Sequence, residues 1–237
     1  MVAKTTDTTA FNLNLTELVE ESFERCGAEA RTGYDFRTAR RSLNLLLADM
    51  ANRGINLWTI EQGSVPMVAG TATYNLPVDT VDLMDHVIRT GSGTSQADLY
   101  ITRIPATTYA SIPNKNTTGR PIELWIDRQS GATDSGSVVQ YPTVTVWPVP
   151  DVSSTYTLVY WRLRRLQDAG DGVNGMDLPF RFLPAITSGL AYYLSLKIPG
   201  AMERNQLLKA QWDEDLQRAC EEDRDKSPLY IRPRIIS

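Results

Sequence analysis

The side chains best suited to catalysis or metal binding are few. His86 is the sole histidine, and Cys26 and Cys220 lie too far apart to form a zinc motif or a disulfide framework. Ser-His-Asp catalysis would have to use His86, but the sequence has no Gly-x-Ser-x-Gly elbow. It also lacks a phosphate loop and a dinucleotide fingerprint. We therefore predict no catalytic residue, no cofactor and no metal, and interpret His86 as structural and both cysteines as small buried hydrophobes.

Oxygen-bearing side chains offer two weaker possibilities. The loop Asp168–Gly175 superficially resembles a calcium loop, but the bidentate Glu needed at its twelfth position would fall on Pro179. Carboxylate groups such as Asp82/Asp85 and Glu221–Asp223 could perform acid–base chemistry, although such clusters usually lie on solvated faces. A cell-wall hydrolase therefore stays open as an alternative function, and clearing of a peptidoglycan suspension would reveal it.

Basic residues are concentrated at two places. Arg40 and Arg41 flank an apolar helix stripe, which favours a solvated or inter-subunit face. Arg162 and Arg164 alternate on one face of a predicted strand and could contact phosphate or the carboxylates of a neighbour. The net charge of −4 argues against a protein whose main task is to grip nucleic acid.

Helical patterns lie at both ends of the chain. Asn14 and Glu17 form a predicted capping box ahead of a stripe that ends at Gly27. A second helix is predicted from near Asp35, with Gly54 as its C′ glycine. Later, a helix from Leu183 is apolar nearly all round, which indicates burial on more than one side. A long surface helix, Met202–Arg224, is expected to follow it.

The middle of the chain is predicted to be β structure, because β-branched and aromatic residues partly alternate there. The predicted strands are Thr71–Leu76, Val81–Thr90, Ile122–Ile126, Thr143–Trp147 and Tyr156–Leu163. Ser130–Ser137 is expected to be the tip of a long hairpin. The fold class is thus α+β: a helical bundle made from the N- and C-terminal helices, with an inserted antiparallel β region and an extended C-terminal tail.

The expected organisation is a flexible N-terminus (1–12), one α+β domain (13–225) and a tail (226–237). Within the domain we expect helices over 14–54 and 180–224 and the β region over 58–166. No signal peptide or membrane-spanning segment is predicted. The tail has two prolines, no helical period and several bulky apolar residues, so it is predicted to dock either on another subunit or on its own domain.

Several segments together resemble a known family. They are Ala39–Trp58, Tyr74–Pro77, Gly119–Pro121, Val146–Pro150, Leu158–Trp161 and Leu178–Lys197. Their order and spacing resemble the bacteriophage head-to-tail adaptors, the tail accessory factor or tail tubular protein A-like family. The resemblance covers about Phe36 to Arg224.

This resemblance implies a structural ring subunit, typically one of a homododecamer, in the virion neck. Such a ring, assembled in the host cytoplasm, lies beneath the portal protein, continues the DNA channel and helps to retain packaged DNA. The implied partners are further copies of the chain, the portal, tail nozzle, tube or fibre proteins, and passing double-stranded DNA without sequence-specific contact; no membrane is implied. Another neck or tail completion protein, such as a stopper or terminator, remains a further alternative.

The resemblance also suggests contact residues. The candidate portal contacts in the tail are Leu229, Tyr230, Ile231, Arg232 and Pro233. The candidate tail-side contacts at the hairpin tip are Ser130, Gly131, Asp134 and Gly136.

Overall fold

The computed structural model describes residues 13–53, 57–128, 141–167 and 177–223. The chain divides into two compact units, a helical unit (Met1–Leu57 with Leu166–Ser237) and a β unit (Trp58–Arg165). The described helices are α1 (Leu15–Cys26), α2 (Gly33–Asn52), α3 (Ala106–Ser111), α4 (Leu183–Ser195) and α5 (Asn205–Glu222). The described strands are β1 (Ile60–Pro66), β2 (Thr73–Asn75), β3 (Thr80–Thr90), β4 (Ala97–Tyr100), β5 (Thr102–Arg103), β6 (Glu123–Asp127), β7 (Thr143–Trp147) and β8 (Tyr156–Arg164). Helices at both ends of the chain thus flank a β region, which confirms the predicted α+β class.

The N-terminal helices begin with the local chemistry that their sequences encode. Asn14 Oδ1 accepts a hydrogen bond from the Glu17 amide at 2.8 Å, and the Glu17 carboxylate accepts one from the Asn14 amide. Gly27 ends α1 in the left-handed region, with φ 76°. Helix α2 begins two residues before the predicted Asp35, because Thr32 is the cap and Asp35 is its capping-box partner. Capping therefore fixes the start of both helices.

Helix α4 is the centre of the helical unit and packs against α1, α2 and α5. It is buried over most of its circumference, as its apolar sequence predicts, and Pro184 lies in its first turn. Helix α5 buries the stripe Leu208, Trp212, Leu216 and Ala219 against the bundle. The turn before it, Ala201–Arg204, is a 3₁₀ helix, so α5 starts at Asn205, three residues later than predicted.

Side chains of α4, α5 and α2 interlock around one glycine. Gly189 leaves room for the Trp212 indole, which stacks on the Tyr192 ring at 5.6 Å between ring centroids. The Arg53 guanidinium covers the indole 5.0 Å from its centroid. The close approach of three helices at this point depends on the missing side chain of Gly189.

The β unit contains two four-stranded sheets. The first has the order β1-β8-β3-β4, and every pair in it is antiparallel. The second has the order β2-β7-β6-β5, and its β6–β7 pair is antiparallel, as the hairpin prediction requires. The β5–β6 pair is parallel, so the expectation of a wholly antiparallel region is wrong at this edge.

Apolar side chains from both sheets form one core. It consists of Met67, Tyr74, Leu76, Leu83, Ile88, Ile101, Leu124, Ile126, Val144, Val146, Leu158 and Tyr160. On β1, Gly63 lies opposite Tyr160, and a Cβ at this glycine would fall 2.5 Å from the Tyr160 ring. In the described parts of the chain, no helix is both long and apolar enough to cross a bilayer.

Candidate functional site

The contact residues suggested by the resemblance lie outside the described residues. This holds for the portal candidates Leu229, Tyr230, Ile231, Arg232 and Pro233, and for the tail-side candidates Ser130, Gly131, Asp134 and Gly136. The loop Asp168–Gly175 and Gly54 also lie outside them. These predictions therefore stay predictions.

His86 is a core residue of the β unit. It lies on β3 with 6% of its surface exposed. Burial lowers the pKa of His86, and the neighbouring Asp85 carboxylate opposes that effect only in part. The described residues contain no cluster of His, Cys, Asp or Glu that could hold a metal ion.

The two cysteines differ in environment. Cys26 is buried, and its thiol lies 3.1 Å from the backbone carbonyl oxygen of Ala191. Burial raises the pKa of Cys26 to about 11, although the positive charge of Arg204 opposes the shift. Cys220 is only half-buried, so the prediction that both cysteines are buried holds for Cys26 alone.

The arginines of β8 are held by carboxylates of their own chain. Arg162 contacts Asp79 at 2.6 Å and Glu61 at 2.7 Å, and Arg164 contacts the second oxygen of Glu61 at 2.7 Å. Both arginine side chains are largely buried, with 11% and 12% of the side chain exposed. They are not exposed to phosphate or to a neighbour, because residues distant in sequence already pair with them.

Two of the carboxylates considered for acid–base chemistry, Asp82 and Asp223, are paired with arginines. Asp82 contacts Arg103 at 2.9 Å and Arg128 at 3.0 Å. Asp223, at the end of α5, is buried and contacts Arg181 at 2.5 Å. These contacts assign the two carboxylates to ion pairs that stabilise the fold, and they do not place either one beside a second carboxylate as an acid–base pair.

The outer face of α2 is exposed and basic. Tyr34, Arg37, Arg41 and Leu45 recur at helical spacing, opposite the buried stripe. Tyr34 is 63% exposed and Leu45 61% exposed. Arg37 donates to the Gly33 carbonyl oxygen and Arg41 to the Thr38 hydroxyl oxygen, so their hydrogen-bond partners are neutral. Sequence reasoning named Arg41 but did not identify Tyr34, Arg37 and Leu45 as residues of the same face. Their helical spacing was the signal that could have shown this.

The outer face of α5 has the opposite charge. Leu207, Glu214 and Glu221 are seven residues apart and lie on one exposed line, with Leu207 70% exposed. Helix α5 contains five acidic and two basic residues. Glu214 pairs with Arg218 and Glu221 accepts a hydrogen bond from Gln217, so both carboxylates are held on the surface.

A bundle of terminal helices, with a β region inserted between them in the sequence, is the architecture that the sequence predicts. The family model for SU10 adaptor protein matches residues 13–234. The chain belongs to this family, which confirms the resemblance to bacteriophage head-to-tail adaptors.

Comparison with solved structures gives a further similarity. A chain described as the neck of an empty GTA particle, computed with C6 symmetry, is similar over 94% of this chain and 98% of that chain. The sequences are 11% identical and the TM-score is 0.29. No curated protein matches the chain.

Proposed function

We propose that the chain forms a ring beneath the phage portal, continues the DNA channel, and helps to retain packaged DNA. Membership of the SU10 adaptor family is the observation that carries this proposal. The ring is expected to be twelve-fold and to act as a scaffold without enzymatic activity. It also offers a platform for tail nozzle, tube or fibre proteins.

Surface properties support the proposal. A closed ring needs heterologous contacts, in which two different patches of one subunit meet. The helical unit has two such patches on α2 and α5, each with exposed apolar residues beside its charges. A net charge of −4 suits a channel wall past which DNA must slide without binding.

Two segments outside the described residues are assigned to different partners. The apolar segment Leu229–Pro233 is the proposed portal contact, since a short tail with bulky apolar residues gains stability by docking on a partner. The segment Ser130–Ser137, which the sequence predicts to be a hairpin tip, is the proposed contact with tail proteins through Ser130, Gly131, Asp134 and Gly136.

Co-sedimentation with portal rings tests this function. The full chain is mixed with purified portal of the same phage, and the subunits recovered per portal are counted by native mass measurement. About one complete ring per portal is expected. If no copy of the chain is recovered with portal rings, even at protein concentrations well above those at which a stable complex would form, the proposal is contradicted.

A further inference from the structure

The outer face of α2 carries the features of a protein contact. Two large side chains, Tyr34 and Leu45, are more than half exposed at its ends. Arg37 and Arg41 lie between them, with hydrogen bonds only to neutral oxygens in the described part of the chain. Tyrosine and arginine are the residue types that dominate the energetics of protein interfaces. This face, Tyr34–Arg37–Arg41–Leu45, is named the basic face.

The outer face of α5 is its chemical complement. Leu207 is 70% exposed, and Glu214 and Glu221 follow it one and two heptads later. This face, Leu207–Glu214–Glu221, is named the acidic face; Arg218 also lies on it and pairs with Glu214, so Glu221 is the carboxylate of this face that has no arginine partner among the described contacts. Both faces are helix surfaces with carboxylates or guanidinium groups beside an exposed apolar side chain. They therefore match in charge and in character.

The two faces point away from the interior of the bundle on different helices. Helices α2 and α5 each bury one stripe and pack against α4. Trp212 of α5 stacks on Tyr192 of α4, whereas Ser42 of α2 accepts a hydrogen bond from Lys197, just beyond the end of α4. Each outer face lies opposite the buried stripe of its own helix. The basic and acidic faces consequently cannot meet within one subunit, but they can meet between neighbours.

We propose that the basic face of one copy docks on the acidic face of the next copy. The inference rests on the proposed ring and names the surfaces that close it. A contact between two different patches, repeated around an axis, is the heterologous geometry that a ring requires.

A second copy fits the basic face better than DNA does. Nucleic acid recognition draws on clustered positive charge along a phosphate track. Here Arg37 and Arg41, with Arg40 beside them, are bracketed by Tyr34 and Leu45, and burying these two large side chains against Leu207 removes apolar surface from water. The chain itself supplies the complementary acidic surface.

Charge exchange tests the contact. One variant carries Arg37→Glu and Arg41→Glu, so both its faces are acidic; the other carries Glu214→Lys and Glu221→Lys, so both are basic. Each full-length variant alone should need about tenfold or more protein to saturate portal rings, because like charges then oppose each other at every junction. An equimolar mixture should restore wild-type occupancy, because each junction again joins opposite charges.

A matched control separates this effect from general charge. Glu20→Lys with Glu24→Lys alters the exposed face of α1 by the same charge as the second variant and should leave ring occupancy unchanged. Wild-type occupancy by either variant alone would overturn the assignment of faces while leaving the proposed adaptor function intact. Loss that the mixture fails to restore would also overturn it, and would indicate contact with portal or DNA. Failure of the wild-type chain to bind portal would instead reject the proposed function itself.

Discussion

Replacing Gly189 by alanine should destabilise the helical unit at its tightest point. An added Cβ would lie 2.7 Å from Trp212 Nε1 and 2.9 Å from a Leu46 methyl carbon. The Leu46 methyl group can move, but the Trp212 indole is held between Tyr192 and Arg53. Ordinary contacts would require the indole to shift by several tenths of an ångström.

The magnitude follows from two opposing effects. Overpacking a well-packed core typically costs about 1–3 kcal/mol. Replacing glycine by alanine in a helix interior returns about 1 kcal/mol. Because the indole is held in place, the cost should lie in the upper part of this range, about 2–3 kcal/mol. We therefore expect a net loss of about 1–2 kcal/mol and a decrease in melting temperature of about 2–8 °C. Urea denaturation and thermal unfolding followed by circular dichroism measure both quantities.

Two further variants sharpen this prediction. Gly33→Ala is the matched control, because a Cβ at Gly33 meets nothing within 4 Å, and its stability should be close to wild type. In a Trp212→Phe background, Gly189→Ala should cost clearly less, because the ring atoms nearest to the new methyl group are gone. A Gly189→Ala protein as stable as wild type, or an equal cost in both backgrounds, would refute the packing argument.

Three other predictions concern the cysteines, an ion pair and the tail. Because burial raises the pKa of Cys26 to about 11, iodoacetamide at pH 8 should modify Cys220 first and Cys26 only on unfolding. Mass spectrometry after limited labelling measures the two rates of modification. Equal rates for the two cysteines would contradict this prediction. Burial opposes ionisation of Asp79, but Arg162 outweighs it and holds the pKa of Asp79 below its ordinary value. The stabilisation by the Asp79–Arg162 pair should therefore be full above the ordinary aspartate pKa and be lost as pH falls through the lowered value. The difference in urea midpoint between wild type and Asp79→Asn should shrink in acid. A difference that is constant with pH would count against the pair. Deleting Lys226–Ser237 should weaken retention on portal in a pull-down, and undiminished retention would exclude the tail as the portal contact.

Helix boundaries were predictable where capping side chains specify them. The start of α1 is set by a capping box between Asn14 and Glu17, which are only three residues apart. Its end is set by Gly27, which adopts a left-handed backbone conformation. The predicted start of α2 was two residues too late. Thr32 and Asp35 are the two members of one capping box, and from sequence alone either could be taken as the residue that caps the helix. Burial of α4 was predictable because apolar residues surround it.

Three strands of the β unit were not predicted from the sequence. Strand β1 contains Gly63 and ends at Pro66, so its residues show no apolar alternation, and it is specified by pairing with β8 along its whole length. Strands β4 and β5 are four and two residues long, too short for a periodic signal. These three strands lie at the edges of the two sheets. They form by pairing with a neighbouring strand of their sheet, which a local residue pattern does not encode.

The roles of the charged residues depended equally on distant partners. The alternation of Arg162 and Arg164 was visible in the sequence, but their carboxylate partners are far away along the chain. Glu61 lies 103 residues before Arg164, and Asp79 lies 83 residues before Arg162. Sequence spacing predicts a shared face and cannot identify what that face contacts. The basic face of α2, in contrast, was available from helical spacing alone.

Electron microscopy of the full chain mixed with portal of the same phage tests the central claim most directly. The proposal predicts a closed ring of this chain on the portal, coaxial with it and continuing its channel. Portal rings that remain bare, or adaptor bound as isolated copies away from the channel axis, would contradict it.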